Sequence, residues 1–187
     1  MAMATLVSAQ TYGAEKFGQP TLAIKKTSLG DAAQTLAAQG NSYEVVADFA
    51  LNSDLRSYAN SVFRLDFLLN KNGSESVSTC TATLVHPQVI LTNAHCISTK
   101  SHSVQKALIW HNLIRQGGEG ATSFATETLA FESNDQLDYA LVEVLDPLPS
   151  DIQPVRLAFQ NIDERDPLQI VHHPRGLPQR LSRLRCW

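Results

Sequence analysis

Between Ser61 and Val144 the chain is a succession of short apolar stretches separated by turn residues, and this pattern restricts the fold more than any other feature. Val62-Phe63-Arg64-Leu65-Asp66-Phe67-Leu68 alternates apolar and polar side chains, the period of a half-buried strand. Asn70-Lys71-Asn72-Gly73 supplies turn chemistry after it. Residues 77–85 form a second stretch rich in β-branched side chains; His86-Pro87 breaks it and Val89-Ile90-Leu91-Thr92 resumes it. Further strands are expected over 107–110, 126–131 and 139–144, with Gly117, Gly118 and Gly120 marking a loop between two of them. Strands this short and this closely spaced predict an all-β barrel or sandwich.

The rest of the chain divides around that block. After Pro154 a second series begins, with Leu168-Gln169-Ile170-Val171 and then 179–186, so the segment from Pro149 to Pro154 reads as the linker. Residues 1–45 are rich in Ala, Gln, Gly, Ser and Thr and are interrupted by Gly13, Gly18, Pro20, Gly30 and Gly40. They read as a leader, a pro-segment or a disordered tail, with one helix candidate from Asp31 to Ala38 capped by Asp31. Val7-Ser8-Ala9 spaces its small residues as a signal-peptidase site does, yet no Lys or Arg precedes it and the apolar stretch is short. The expected organisation is therefore 1–45, a first β domain over 46–150, and a second β domain that starts at 151–187.

Composition excludes several classes. Hydrophobic residues make up 43% and charged residues 18%, enough for a packed core. A net charge of −3 argues against nucleic acid as partner, and no apolar run reaches the length of a membrane-spanning helix. Arg175, Arg180, Arg183 and Arg185 are interleaved with Leu181 and Leu184, which reads as a strand with one solvated face. His172 and His173 are adjacent on a strand and point to opposite faces, so they do not share a metal. The Gly117–Gly120 loop lacks a phosphate-loop pattern. No metal and no other cofactor is expected.

Two segments carry chemistry. In Val89-Ile90-Leu91-Thr92-Asn93-Ala94-His95-Cys96 an apolar strand meets a polar turn, so His95 is presented at a strand end. Asp138 stands immediately before a strand that alternates Ala140, Val142 and Val144. A carboxylate beside an apolar wall is costly unless paired, and an imidazole N–H suits it; Asp135 is the alternative for that role. Acyl transfer by a serine needs such a pair. The hydroxyl requires a base that titrates near neutrality, and the carboxylate fixes the base's tautomer and stabilises the imidazolium.

Cys80-Thr81-Ala82-Thr83-Leu84-Val85 followed by Leu91-Thr92-Asn93-Ala94-His95-Cys96 resembles the histidine motif of the trypsin-like, chymotrypsin-fold serine peptidases. Asp138-Tyr139-Ala140-Leu141-Val142 resembles their aspartate motif, and the order of the two agrees. Ile170-Val171-His172-His173-Pro174-Arg175-Gly176 resembles a segment of the bacterial glutamyl-endopeptidase-like branch. The resemblance spans roughly 55–187. It implies a double β-barrel, with His95 as general base and acid and Asp138 as its orienter. It also implies a Cys80–Cys96 disulfide, a protein or peptide substrate, and a secreted or periplasmic location. Closing that loop of about 15 residues is worth about 3 kcal/mol.

The sequence departs from the family at the nucleophile. The family carries it in a Gly-x-Ser-Gly setting downstream of the Asp, but the only serines after Asp138 are Ser150, in the linker, and Ser182, in an apparent strand. Neither has glycines beside it to build an oxyanion hole. Cys186, the odd cysteine, resembles one that pairs in that branch with a cysteine shortly before the nucleophile. The reading is a second barrel that is incomplete in this sequence, through truncation, frameshift or a natural pseudopeptidase. The function expected is serine endopeptidase by family, inactive as given. The alternative is a catalytically dead binding module.

Overall fold

The computed structural model describes residues 11–22, 43–97, 103–159 and 168–184. In chain order its strands are β1 (Thr11–Gly13), β2 (Tyr43–Val45), β3 (Val62–Lys71), β4 (Ser74–His86), β5 (Val89–Thr92), β6 (Ser103–His111), β7 (Thr122–Thr126), β8 (Glu132–Asn134), β9 (Tyr139–Glu143), β10 (Leu168–His172) and β11 (Arg180–Leu184). They form a large sheet in the order β7-β6-β3-β4-β5-β9-β8, with β1 added on β4, and a small sheet in the order β10-β11-β2. The protein is all-β, as the alternation predicts.

The large sheet is organised by the β3–β4 hairpin. Lys71 pairs with Ser74, leaving Asn72 and Gly73 as a two-residue turn. Both have positive φ, 53° and 83°, the backbone that matches the twist of the flanking strands. Successive residues of a strand point to opposite faces. One face of β3 therefore sends Phe63, Leu65 and Phe67 into a core with Ala82, Leu84, Ile90, Ile109, Ala140 and Val142. The sheet curls around this core until β7 approaches the end of β9. A bridge at Thr126 and Val144, with N–H of Leu145 donating to O of Ala125 at 2.9 Å, joins the two sides without a full ladder.

The opposite face of β3 differs from the half-buried strand expected. Arg64 and Asp66 are fully buried, because residues 19–22 and the 3-10 turn Pro174–Gly176 cover them. Arg64 makes two bonds to Asp66, at 2.8 and 2.7 Å. Its other N–H groups donate to the carbonyls of Gln19, Pro20 and Gly176 at 2.7, 2.8 and 3.2 Å. Trp110 Nε1 donates to Asp66 at 3.0 Å, and its ring lies 5.6 Å from the guanidinium carbon. Every ionic group is thus bonded, which a buried pair requires.

This cluster ties the small sheet to the large one. Gln179 does the same from β11's entry, donating through Nε2 to the carbonyls of Ala59 and Val62 at 2.9 and 3.0 Å. Gly176 has φ +68°, and a Cβ there would meet Leu22 at 2.6 Å, so this turn needs glycine.

Parts of the N-terminal stretch belong to the folded body. Thr11–Gly13 pairs with β4, Tyr12 Oη donates to the carbonyl of Arg175 at 2.7 Å, and Tyr12 and Leu22 pack on Val77. Tyr43–Val45 pairs with β11. The few apolar side chains of these segments close gaps that only the tertiary structure creates. The strand expected over 126–131 lies instead at Thr122–Thr126, after which the chain turns to meet β9 and exposes Leu129 and Phe131. A short helix, Asp54–Ala59, was not anticipated; Ser53 Oγ caps it by accepting from N–H of Arg56. The helix candidate from Asp31 to Ala38, the signal-like Val7-Ser8-Ala9 and Cys186 lie outside the described residues.

Candidate active site

The antiparallel pairing of β5 with β9 creates the site. Thr92 at the end of β5 is opposite Ala140 at the start of β9. The residues that leave β5 therefore emerge beside the residues that enter β9. His95 comes from the first group and Asp138 from the second.

Each segment has a local reason for its shape. After β5 the chain makes one helical turn, Ala94–Ile97, so His95 sits on this turn and not on the strand end itself. Ala94, Cys96 and Ile97 are buried, while Asn93 and His95 face outward. A disulfide from Cys96 to Cys80 of β4 anchors the turn from below, with S–S 1.97 Å. On the other side, Asn134 Oδ1 accepts from the N–H groups of Gln136 and Leu137, both at 2.9 Å, and so shapes the turn before β9. Asp138 closes that turn at φ 52°, a left-handed conformation that Asp tolerates better than most residues.

His95 Nδ1 lies 2.8 Å from Asp138 Oδ2. The backbone N–H of His95 donates to Asp138 Oδ1 at 3.0 Å. Asn93 Nδ2 donates to Asp138 Oδ2 at 3.1 Å and to its backbone carbonyl at 3.2 Å. The His95 and Asp138 side chains are about half exposed, at 49% and 42%. What burial Asp138 has pushes its carboxyl up, but the bonds from His95 and Asn93 outweigh it and hold the pKa below the usual carboxylate range. The carboxylate is therefore ionised and oriented at neutral pH. With Nδ1 engaged, the neutral ring of His95 keeps its proton there and leaves Nε2 as the acceptor.

The two downstream serines lie elsewhere. Ser182 Oγ is buried in the small sheet, 2.7 Å from His172 Nε2. Ser150 lies in the segment after β9, where its carbonyl accepts from Gln153. Asn93 is the site residue that the sequence did not single out; its only signal is an amide between strand and histidine.

The metal-ligand atoms of Cys80, His95 and Cys96 lie within 4.8 Å of one another. The two sulfurs are bonded to each other, however, so they offer no thiolate. His172 and His173 have separate partners, Ser182 Oγ and the carbonyl of Leu177.

The family model described as Trypsin matches residues 59–180, well over half of the chain. No curated protein matches the chain. Among solved structures, the Rv3671c protease from M. tuberculosis in its active form is similar at 16% identity and TM-score 0.54, over 70% of this chain and 50% of that one. A structure of GrC is similar at 17% identity and TM-score 0.50, over 68% of this chain and 60% of that one. The chain thus spans half to three-fifths of the length of these two proteins. At such identities the likeness shows the fold.

Proposed function

The chain belongs to the trypsin family, and on that premise we propose that His95 and Asp138 are the base and its orienter in a serine endopeptidase site. The observation that supports this reading is the 2.8 Å contact between His95 Nδ1 and Asp138 Oδ2 at an exposed rim. In the reaction, His95 Nε2 takes the proton of a serine hydroxyl as the hydroxyl attacks a peptide carbonyl. It then returns the proton to the leaving amine, while Asp138 stays ionised and stabilises the imidazolium. The substrate class is protein or peptide. The turn His173-Pro174-Arg175-Gly176 supports placement near the glutamyl-endopeptidase-like branch. The Cys80–Cys96 disulfide supports an oxidising, extracytoplasmic location.

These 187 residues do not turn over peptides on their own in this reading. Among the described residues downstream of Asp138, Ser182 is committed to His172 and Ser150 lies in the linker, so neither offers His95 a hydroxyl to activate. That arrangement also favours the second reading, a catalytically dead module that binds a protein partner. A fluorogenic-peptide assay with a fluorophosphonate probe tests this, with His95→Ala as control. We expect neither turnover nor labelling. Turnover that vanishes in His95→Ala, with the probe on Ser150 or Ser182, would show that the nucleophile is misplaced.

A further inference from the structure

Asn93 makes a two-point contact with one residue, bonding both the side chain and the backbone carbonyl of Asp138. Resting on the base-and-orienter reading above, we propose that Asn93 is a positioning residue: it clamps Asp138 so that the carboxylate presents one oxygen to the His95 ring.

Three observations converge on this. First, Asp138 is conformationally demanding. It sits at φ 52° at the end of a turn, a backbone region that carries a cost even for Asp and persists where surrounding contacts hold it. The Asn93 bond to the Asp138 carbonyl, at 3.2 Å, fixes that peptide from across the sheet. Second, the site is open. With Asp138 42% exposed on its side chain, no apolar enclosure fixes the carboxylate torsion, and hydrogen bonds alone must do so. His95 N–H takes Oδ1, while Asn93 and the His95 ring share Oδ2. Among the described residues, the carboxylate without Asn93 retains bonds only to the residue it is meant to orient. Third, Asn93 has no packing duty. It is exposed, while its neighbours Thr92 and Ala94 are buried. Its amide bridges chain segments 45 residues apart.

Asn93 also favours the ionised form of Asp138, as a smaller contribution beside those of His95. Its donor acts in the same direction as those of His95, lowering the carboxyl pKa. Losing it affects both the orientation and the titration midpoint of Asp138, and the two can be read separately.

The experiment is NMR on the oxidised 187-residue chain, comparing wild type, Asn93→Ala, Asn93→Ser and Asp138→Asn. Ring ¹⁵N shifts report the tautomer of neutral His95, and ¹³Cγ of Asp138 reports its titration. In the wild type the Nδ1–H tautomer dominates. In Asn93→Ala its ratio to Nε2–H falls about three- to tenfold, the worth of one modest hydrogen bond, and the Asp138 midpoint moves up. Asn93→Ser, which keeps one shorter donor, recovers part of both effects. A merely structural role for Asn93 would change core methyl shifts and leave the tautomer ratio alone. If Asp138→Asn shifts the tautomer and Asn93→Ala does not, the positioning role is overturned while the base-and-orienter reading stands. If Asp138→Asn itself leaves the tautomer unchanged, both are overturned.

Discussion

The two sheets of this protein reach their stability by different means. The large sheet holds one apolar cluster that runs through β3, β4, β5, β6 and β9, with Phe63, Leu65, Phe67, Ile90, Ile109 and Val142 all at 0% exposure. The small sheet has three strands, and among the described side chains its own buried apolar one is Leu181. Ile170 on its β10 edge is 45% exposed. A small apolar cluster, in which Val171 packs on Val46, Ala59 and Ile114, holds the small sheet in part; the rest of its attachment is polar: the Arg64 cluster, Gln179 on the carbonyls of Ala59 and Val62, and His173 N–H on Thr81 Oγ1 at 3.0 Å. Apolar burial is tolerant of detail, whereas buried polar contacts fail when one partner is removed. His95 and Asp138 both sit on the tolerant sheet.

The sharpest way to break this contrast is Arg64→Ala. It removes the bonds to Gln19, Pro20 and Gly176 and strands the Asp66 carboxylate in the interior. Leaving one member of a buried ion pair typically destabilises by about 3–5 kcal/mol. Urea unfolding should show a loss of that order, and amide exchange should open β10 and β11 before β3 and β4. The double variant Arg64→Met, Asp66→Leu should recover part of the loss, because no charge is then left unpaired. An Arg64→Ala protein that keeps its urea midpoint would refute the polar-tether account.

The second prediction concerns the large sheet. Replacing Cys80 and Cys96 together by alanine, or reducing the bridge, should lower stability by about 3 kcal/mol through loss of loop constraint. The apolar cluster should persist, since its other members stay buried. The effect should be felt at the helical turn: Asn93 and His95 should exchange faster, and the His95–Asp138 contact should weaken. Unchanged His95 dynamics after reduction would mean that the β5–β9 pairing alone positions the base.

The sequence exposed these two regimes unequally. β3 and β9 are legible because their apolar side chains recur with period two, and β4 and β5 because β-branched and apolar residues gather on either side of His86-Pro87. The residue types around His95 and Asp138 were legible because the chemistry demands them. β1 and β2 were not, since a three-residue strand has no period to read and gains its partner only across the fold. Arg64 and Asp66 read as an outer polar face because alternation says nothing about what covers that face. Asn93 carries no local signal for a related reason: its partner is 45 residues away, and the link exists only once β5 pairs with β9. Contacts whose meaning depends on a distant segment are the ones that local pattern loses.

The smallest of the three effects isolates one polar group of the tethered sheet. His173 is 4% exposed, and Nδ1 is spent on the carbonyl of Leu177 at 3.0 Å. Among the described residues Nε2 has no partner. Protonating it would place a charge in the interior without an acceptor. Burial therefore lowers its pKa to about 3, a shift to which the nearby cations Arg64, Arg180 and His172 add, although the bond to Leu177 works against it. The folded pKa is below the unfolded one, so the unfolded chain binds more protons throughout the interval. Stability is then fully present above about pH 6.5 and falls as pH drops toward 3. At about 1.4 kcal/mol per unit, the decline attributable to His173 is about 2 kcal/mol by pH 5. The depressed carboxyl of Asp138 does not contribute here, because its loss begins only in the carboxylate range below this window. Urea unfolding at pH 7.5 and pH 5, for wild type and His173→Gln, makes the measurement. The variant should start less stable yet lose about 2 kcal/mol less on acidification; in both proteins His111 and His172, lowered by burial, add slope of the same sign, and Asp66, raised by burial, opposes it. Equal losses in the two proteins would mean that His173 is solvated in solution, and that the polar seam between the sheets is looser than its hydrogen bonds imply.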